Sequence, residues 1–228
     1  MTSSALGNTL FARLRDACAS DWTAYTQHAF VRRIGDGTLP EACFRHYLVQ
    51  DYLFLIHFAR AYGLAAFKSE TLDDIRRAAS GLSAIVDTEI GLHVGYCGRW
   101  GLTEADMAAA PEATATLAYT RYVLERGLSG DLLDLQAALA PCIVGYAEIG
   151  RALADDPATV REGNTYDEWI AMYASEDYQA VAAEHVEQMD ALMQRRGAPS
   201  RFESLAQTFA EATRLEAAFW DMGLDSGD

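Results

Sequence analysis

The stretch TLPEACFRHYLVQDYLFLIHF, residues 38–58, decides the fold class. Within it Phe44, Tyr47, Leu48, Asp51, Leu55 and Phe58 recur at intervals of three and four. Such intervals gather residues on one face of a helix, because a turn takes 3.6 residues. They lack the strict alternation of a half-buried strand. The helix also has a written start. Thr38-Leu39-Pro40-Glu41 has the form of a capping box, with Pro placed early, where its missing N–H costs nothing. One member of the apolar face, Asp51, is a carboxylate. A carboxylate in such a stripe is expensive unless it is paired or used.

The same punctuation runs outward along the chain. Thr165-Tyr166-Asp167-Glu168 and Ser200-Arg201-Phe202-Glu203 repeat the box, while Thr71 with Asp74 and Thr103 with Asp106 are weaker versions using Asp. Stops fall at Gly35–Gly37, Gly101, Ser129-Gly130 and Gly197. Phe202, Leu205, Phe209, Thr213, Glu216 and Trp220 trace a second buried face, again with a carboxylate in it. Runs of alternating β-branched residues are absent. The pattern predicts an all-α protein of about seven to nine helices, with ADDPATVREGNT (154–165) as the loosest segment. With no repeat or Pro/Ser-rich linker, the expectation is one helical domain over 1–228, its core about 10–222.

The formal charge of −15 sets the chain against nucleic acid and anionic membrane surfaces, and it offers no basic recognition helix. The four cysteines, Cys18, Cys43, Cys97 and Cys142, form no CxxC pair. The opening MTSSALGNTLFARLRDACASDW carries charges within its apolar stretch, unlike a secretory signal. Free thiols in a reducing cytoplasm are the simplest account. The longest nearly uncharged run, Leu135 to Ala147, is too short to span a bilayer and reads as a helix buried on most sides.

Helical spacing also groups residues able to do chemistry. Cys142 and Tyr146 are four apart, Asp51 and Phe54 three apart, and Glu216, Phe219 and Trp220 share a face. Two carboxylates and a cysteine from the most apolar helix can build a polar spot inside an apolar cavity. Each also has a plainer account. Free cysteine is usually buried and inert. Asp51 and Glu216 can be structural partners of Arg or Tyr, and Tyr119, Tyr146 and Tyr173 can be core aromatics with satisfied hydroxyls. Pro141 should kink the helix or restart it. A restart would put Cys142 in a first turn, where the helix dipole lowers a thiol pKa; a kink would give little such help.

Several segments resemble the TenA family, the thiaminase II enzymes. His28-Ala29-Phe30-Val31 followed by Ile34-Gly35-Asp36-Gly37-Thr38-Leu39-Pro40 is similar to the opening HPF…IGDGTLP signature. Tyr47-Leu48-Val49-Gln50-Asp51 resembles YxxQD, and Pro141-Cys142 with Tyr146 resembles the PCxxxY of the cysteine-containing branch. Trp169-Ile170-Ala171-Met172-Tyr173 and Glu216-Ala217-Ala218-Phe219-Trp220 resemble the W-I-x-x-Y and ExxFW segments. The matches run in order from about residue 15 to 222. Each is weak alone; in order and at family-like spacing they are strong. Two departures stand out: Ala29 replaces the proline of HPF, and Phe54 stands where some relatives carry a pocket tyrosine.

The resemblance implies a haem-oxygenase-like helical bundle, usually a homotetramer, with no cofactor and no metal. It implies hydrolysis of 4-amino-5-aminomethyl-2-methylpyrimidine to the hydroxymethyl pyrimidine in thiamin salvage, with intact thiamin a poorer substrate. Carried over, Cys142 is the nucleophile that adds to the ring. Glu216 shuttles protons to the leaving amine and from water, work that a carboxyl with a pKa raised by burial suits. Asp51 holds the aminopyrimidine edge. Phe54, Tyr119, Tyr146 and Tyr173 line the pocket. Other readings are a haem- or metal-dependent oxidase, with His28 or the pair Glu89 and His93 as ligands, and a non-catalytic pyrimidine- or thiamin-binding regulator. The first lacks the paired Glu-x-x-His motifs of a di-iron bundle.

Overall fold

A long apolar face needs partners, and the helix over Glu41–Lys68 has them along its length. The computed structural model of the chain describes residues 8–225, and every regular element among them is helical. In order these are α1 (Leu10–Ala17), α2 (Ala19–Thr26), α3 (Ala29–Gly35), α4 (Glu41–Lys68), α5 (Leu72–Ser83), α6 (Ile90–Arg99) and α7 (Glu104–Ala109), then α8 (Thr114–Ser129), α9 (Leu132–Asp155), α10 (Asp167–Ala174), α11 (Glu176–Arg196) and α12 (Phe202–Asp225). A π-helical stretch, Ala84–Glu89, joins α5 to α6, and a 3₁₀ turn, Pro199–Arg201, precedes α12. The all-α reading holds, but the described residues carry twelve α segments rather than seven to nine. The extra ones are short helices of six to eight residues, such as α1, α2, α3, α7 and α10. About two turns or fewer give periodicity too little length to register.

Contacts gather these helices into two compact units. One takes the described residues through Leu39 together with Gln136–Asp221; the other takes Pro40–Leu135 with the described residues from Met222. In the second unit α4 is the hub, packed by α5, the π-helical stretch, α6, α7 and α8. Its predicted face is buried throughout, Phe44, Tyr47 and Leu48 completely. Gly81 lets α5 come close, since a Cβ there would lie 2.1 Å from the Tyr62 ring. In the first unit aromatic rings do the filling. Phe11, Trp22 and Phe209 contact one another, with Trp22 stacked on Phe209 at 5.5 Å. Of the second predicted face only Phe202 is not fully buried; the Arg13 guanidinium lies 4.4 Å over its ring.

The starts and stops fare differently. Every glycine stop is used: α3 ends at Gly35, with Gly37 left-handed at φ +73° beyond it, α6 ends just before Gly101 at φ +76°, and Gly130 and Gly197 cap α8 and α11. The two Asp-type boxes are real caps, complete at Thr103–Asp106 and in part at Thr71–Asp74. The Glu-type boxes at Thr38 and Thr165 are not. α4 starts at Glu41 after Pro40, with no side-chain cap, because the backbone N–H groups of Thr38 and Leu39 close α3 on the Arg33 carbonyl. Thr165 is displaced by its neighbour: Asn164 Oδ1 accepts from the Tyr166 N–H at 2.9 Å, and α10 starts at Asp167. The 3₁₀ turn occupies Ser200, and α12 begins at Phe202. Residues 156–166 form the connection expected near 154–165, pinned where Asn164 Nδ2 donates to the Ile34 carbonyl.

The run 135–147 lies inside a helix longer than the run itself. α9 has 24 residues and is apolar enough to cross a membrane by composition, yet 89% of that stretch is buried within the fold. It is the core helix that its composition predicted.

Candidate active site

The sequence-predicted residues fall into two sets, one in each unit. In the first unit α9 runs unbroken through Pro141, so Cys142 sits near the middle of the helix and not in a first turn. The restart that would have lent it a helix dipole does not occur. Tyr25 reaches this point: its hydroxyl donates to the Pro141 carbonyl at 3.3 Å, and its ring lies so close that a Cβ on Gly145 would meet it at 2.4 Å. Cys142 is 9% exposed. One turn on, Tyr146 packs against Tyr173 of α10 at 4.8 Å and Trp220 of α12 at 5.3 Å between ring centroids. Trp169 completes this cluster, 4.6 Å from Tyr173. Glu216, 2% exposed, lies one turn before Trp220 on α12. Tyr146 and Tyr173 are thus brought together, with α9 and α12 meeting one turn from Cys142 and one turn from Glu216.

In the second unit Asp51 and Phe54 lie three apart on α4, 4% and 3% exposed. The Phe54 ring sits 4.9 Å from Tyr119 of α8 and 5.2 Å from Phe58. Asp51 is not a lone carboxylate. The Tyr47 hydroxyl, one turn earlier, donates to its Oδ2 at 3.0 Å, and Nε2 of His93 on α6 lies 2.6 Å from the same oxygen. His93 is fully buried, and its other ring nitrogen, Nδ1, lies 2.8 Å from the Glu89 carbonyl. Burial alone would drive the His93 pKa down, but the bond and charge of Asp51, helped by Glu89, more than offset it and leave it raised.

His93 is the partner of Asp51 that sequence reasoning missed, having named it only within the alternative metal reading. The spacing Glu89–His93 suggested two side chains facing one metal. In the fold the histidine bonds the Glu89 backbone and turns its free edge to Asp51. The Tyr47–Asp51 bond was open to helical spacing, being four apart. The partnership of positions 51 and 93 was not, since nothing local couples them. His28, the other imagined ligand, caps α3: its Nδ1 accepts from the Phe30 N–H at 3.2 Å, which leaves Nε2 to donate to Asp221 at 3.0 Å.

In one unit a cysteine lies one turn from a tyrosine, on a helix packed against the one that carries a buried glutamate, residue types able to do covalent and proton-transfer chemistry; in the other a buried aspartate is fixed by a histidine. The sequence model of the TENA/THI-4/PQQC family matches residues 15–226, and the chain belongs to that family. A relative from Halalkalibacterium halodurans, called aminopyrimidine aminohydrolase, is 36% identical over 92% of this chain and 93% of its own. The crystal structure of a Silicibacter protein, described as a TenA family transcription regulator, superposes with a TM-score of 0.89 at 46% identity, covering 97% of this chain and 99% of that one. A domain from Shewanella denitrificans described as having a heme oxygenase-like fold aligns over 94% of this chain and 92% of its own with a TM-score of 0.71 at 14% identity. The fold is haem-oxygenase-like.

Proposed function

We propose that the chain is a hydrolase of C–N bonds, an aminopyrimidine aminohydrolase of thiaminase II type with Cys142 as nucleophile. Its substrate is 4-amino-5-aminomethyl-2-methylpyrimidine, and its product the 5-hydroxymethyl pyrimidine used in thiamin salvage. The observation that carries the reading is the Tyr146–Trp220 contact at 5.3 Å, which packs the cysteine helix on the glutamate helix one turn from each reacting group. Family membership and the relatives' named activity support it.

The reaction runs in two halves. The Cys142 thiolate forms a C–S bond to a ring carbon and breaks aromaticity. The electron pair thus released expels the exocyclic amine, which takes a proton from Glu216 and leaves as ammonia. Water then adds to the exocyclic carbon and gives its proton to Glu216. The C–S bond breaks, the ring regains aromaticity, and the thiolate returns. Asp51 holds the amino edge throughout, and Tyr119, Tyr146, Tyr173 and Phe54 supply flat walls and hydroxyls. We further propose a cytoplasmic homotetramer, as the resemblance implies. The exposed side chains of Phe67, Leu72 and Leu128 are apolar surface that a second copy would cover.

Turnover of the aminomethyl pyrimidine by wild type beside Cys142→Ser tests the reading. The variant should lose a factor of about a thousand or more in kcat and still bind the ring. Equal turnover by the two proteins overturns the nucleophile. Ligand binding without turnover by the wild type favours a pyrimidine-binding regulator.

A further inference from the structure

Both bonds to Asp51 fall on one oxygen. Tyr47 and His93 meet Oδ2, and no described residue hydrogen-bonds Oδ1. Two partners on one oxygen fix the rotation of the carboxyl group. The protonation of the pair follows from its geometry. The Glu89 carbonyl can only accept, so His93 Nδ1 at 2.8 Å must carry a hydrogen. At 2.6 Å, Nε2 and Oδ2 then hold one proton between them. Either His93 is an imidazolium beside a carboxylate, or it is a neutral Nδ1–H imidazole accepting from a carboxylic acid. In both arrangements Oδ1 carries no hydrogen. The backbone assists: Glu89 is the last residue of the π-helical stretch, and its carbonyl faces the ring one turn on.

We propose that His93 is a positioning residue that commits Asp51 Oδ1 to accept an N–H bond, and so selects 4-amino over 4-oxo pyrimidines. The inference deepens the reading above and rests on it. A 4-oxo ring would set a carbonyl against an acceptor that cannot change its character, and a buried acceptor facing an acceptor is strongly disfavoured. A carboxylate without His93 could rotate, or take up a proton on either oxygen, and the discrimination would fade.

The test has two arms. On the wild-type protein, ¹⁵N-edited NMR of the histidine rings should show His93 with a protonated Nδ1; a bare Nδ1 overturns the proposal, whatever the enzyme's activity. In the second arm His93→Leu should raise KM for the aminomethyl pyrimidine about tenfold or more, the effect of one lost charged hydrogen bond, with a smaller change in kcat. It should also narrow the preference over the 4-oxo analogue. His93→Gln, whose amide can donate to Oδ2, should recover most of both. An unchanged KM and preference in a folded His93→Leu overturns the proposal. If His93→Leu does not fold, the ring protonation and His93→Gln decide. Wild-type protein that turns over no aminopyrimidine defeats the functional reading, a result separate from either arm.

Discussion

Glu216 occupies a position where its chemistry and its burial are hard to separate. It is 2% exposed, on a helix whose neighbouring residues Phe219 and Trp220 are equally sealed. A structural carboxylate there would give up stability when neutralised; a proton shuttle would give up rate. Glu216→Gln keeps the size and removes only the titrating proton. We expect kcat to fall about a hundredfold or more, general acid–base catalysis being worth that much, with KM changed by less than about threefold. Steady-state kinetics on the aminomethyl pyrimidine decide it, and a change confined to KM sinks the shuttle. At this scale the sequence offered candidates and was silent about what holds them. Cys142, Tyr146 and Glu216 could be named from spacing and resemblance. The packing of Tyr146 on Tyr173 and Trp220 joins it to two other helices, and a local pattern says nothing of either contact. His93 shows the limit plainly, because its nearest chemical partner in the chain, Glu89, is not the side chain it serves.

Elements were legible where one residue makes the signal and obscure where several compete for it. A glycine stop needs only its own left-handed or cap conformation, so all four were found. The Thr38 and Thr165 boxes failed because Thr38 was already engaged in ending α3 and Asn164 had taken the turn before α10. Interior glycines were passed over altogether, though they control how closely helices approach. Gly150 on α9 is the sharpest case. A Cβ there would lie 2.6 Å from the Tyr173 carbonyl carbon and 2.9 Å from the Ala174 backbone nitrogen, so backbone, not a flexible tip, must yield. Gly150→Ala should therefore destabilise by about 1–3 kcal/mol, outweighing the roughly 1 kcal/mol that alanine gains in a helix. Gly95, exposed in α6 with nothing within 4 Å of its Cβ position, is the control. There the same substitution should stabilise by a few tenths to about 1 kcal/mol. Thermal unfolding of the two variants gives both signs, and equal shifts would show that the approach of α9 to α10 is slacker than these distances require.

For the whole molecule, acid pulls in two directions. The chain carries a formal charge of −15, so protonating surface carboxylates relieves self-repulsion, an effect that salt screens. Against this stands His185 on α11, buried, with its Nε2–H donating to the Gln136 carbonyl at 3.1 Å. Burial drives its pKa down to about 4, with the Gln136 bond pushing back only in part. The folded protein therefore binds fewer protons than the unfolded chain between the ordinary histidine value of 6.5 and about 4. Its contribution is fully present above 6.5 and is lost as pH falls through that window, by at most about 3 kcal/mol. His46 and His57 are also lowered by burial and act in the same sense, but both are partly exposed and count for less. His93, raised, acts in the opposite sense: what it adds is present below its ordinary value and is lost as pH rises through its folded value. At 0.15 M salt the surface term is weak, so the His185 term should win. Wild type should lose thermal stability steadily from pH 6.5 to 4, while His185→Gln, which keeps a donor for the Gln136 carbonyl and cannot titrate, should start lower at pH 7 and fall less. Parallel melting curves for the two proteins across that range would mean that the acid sensitivity lies with other groups.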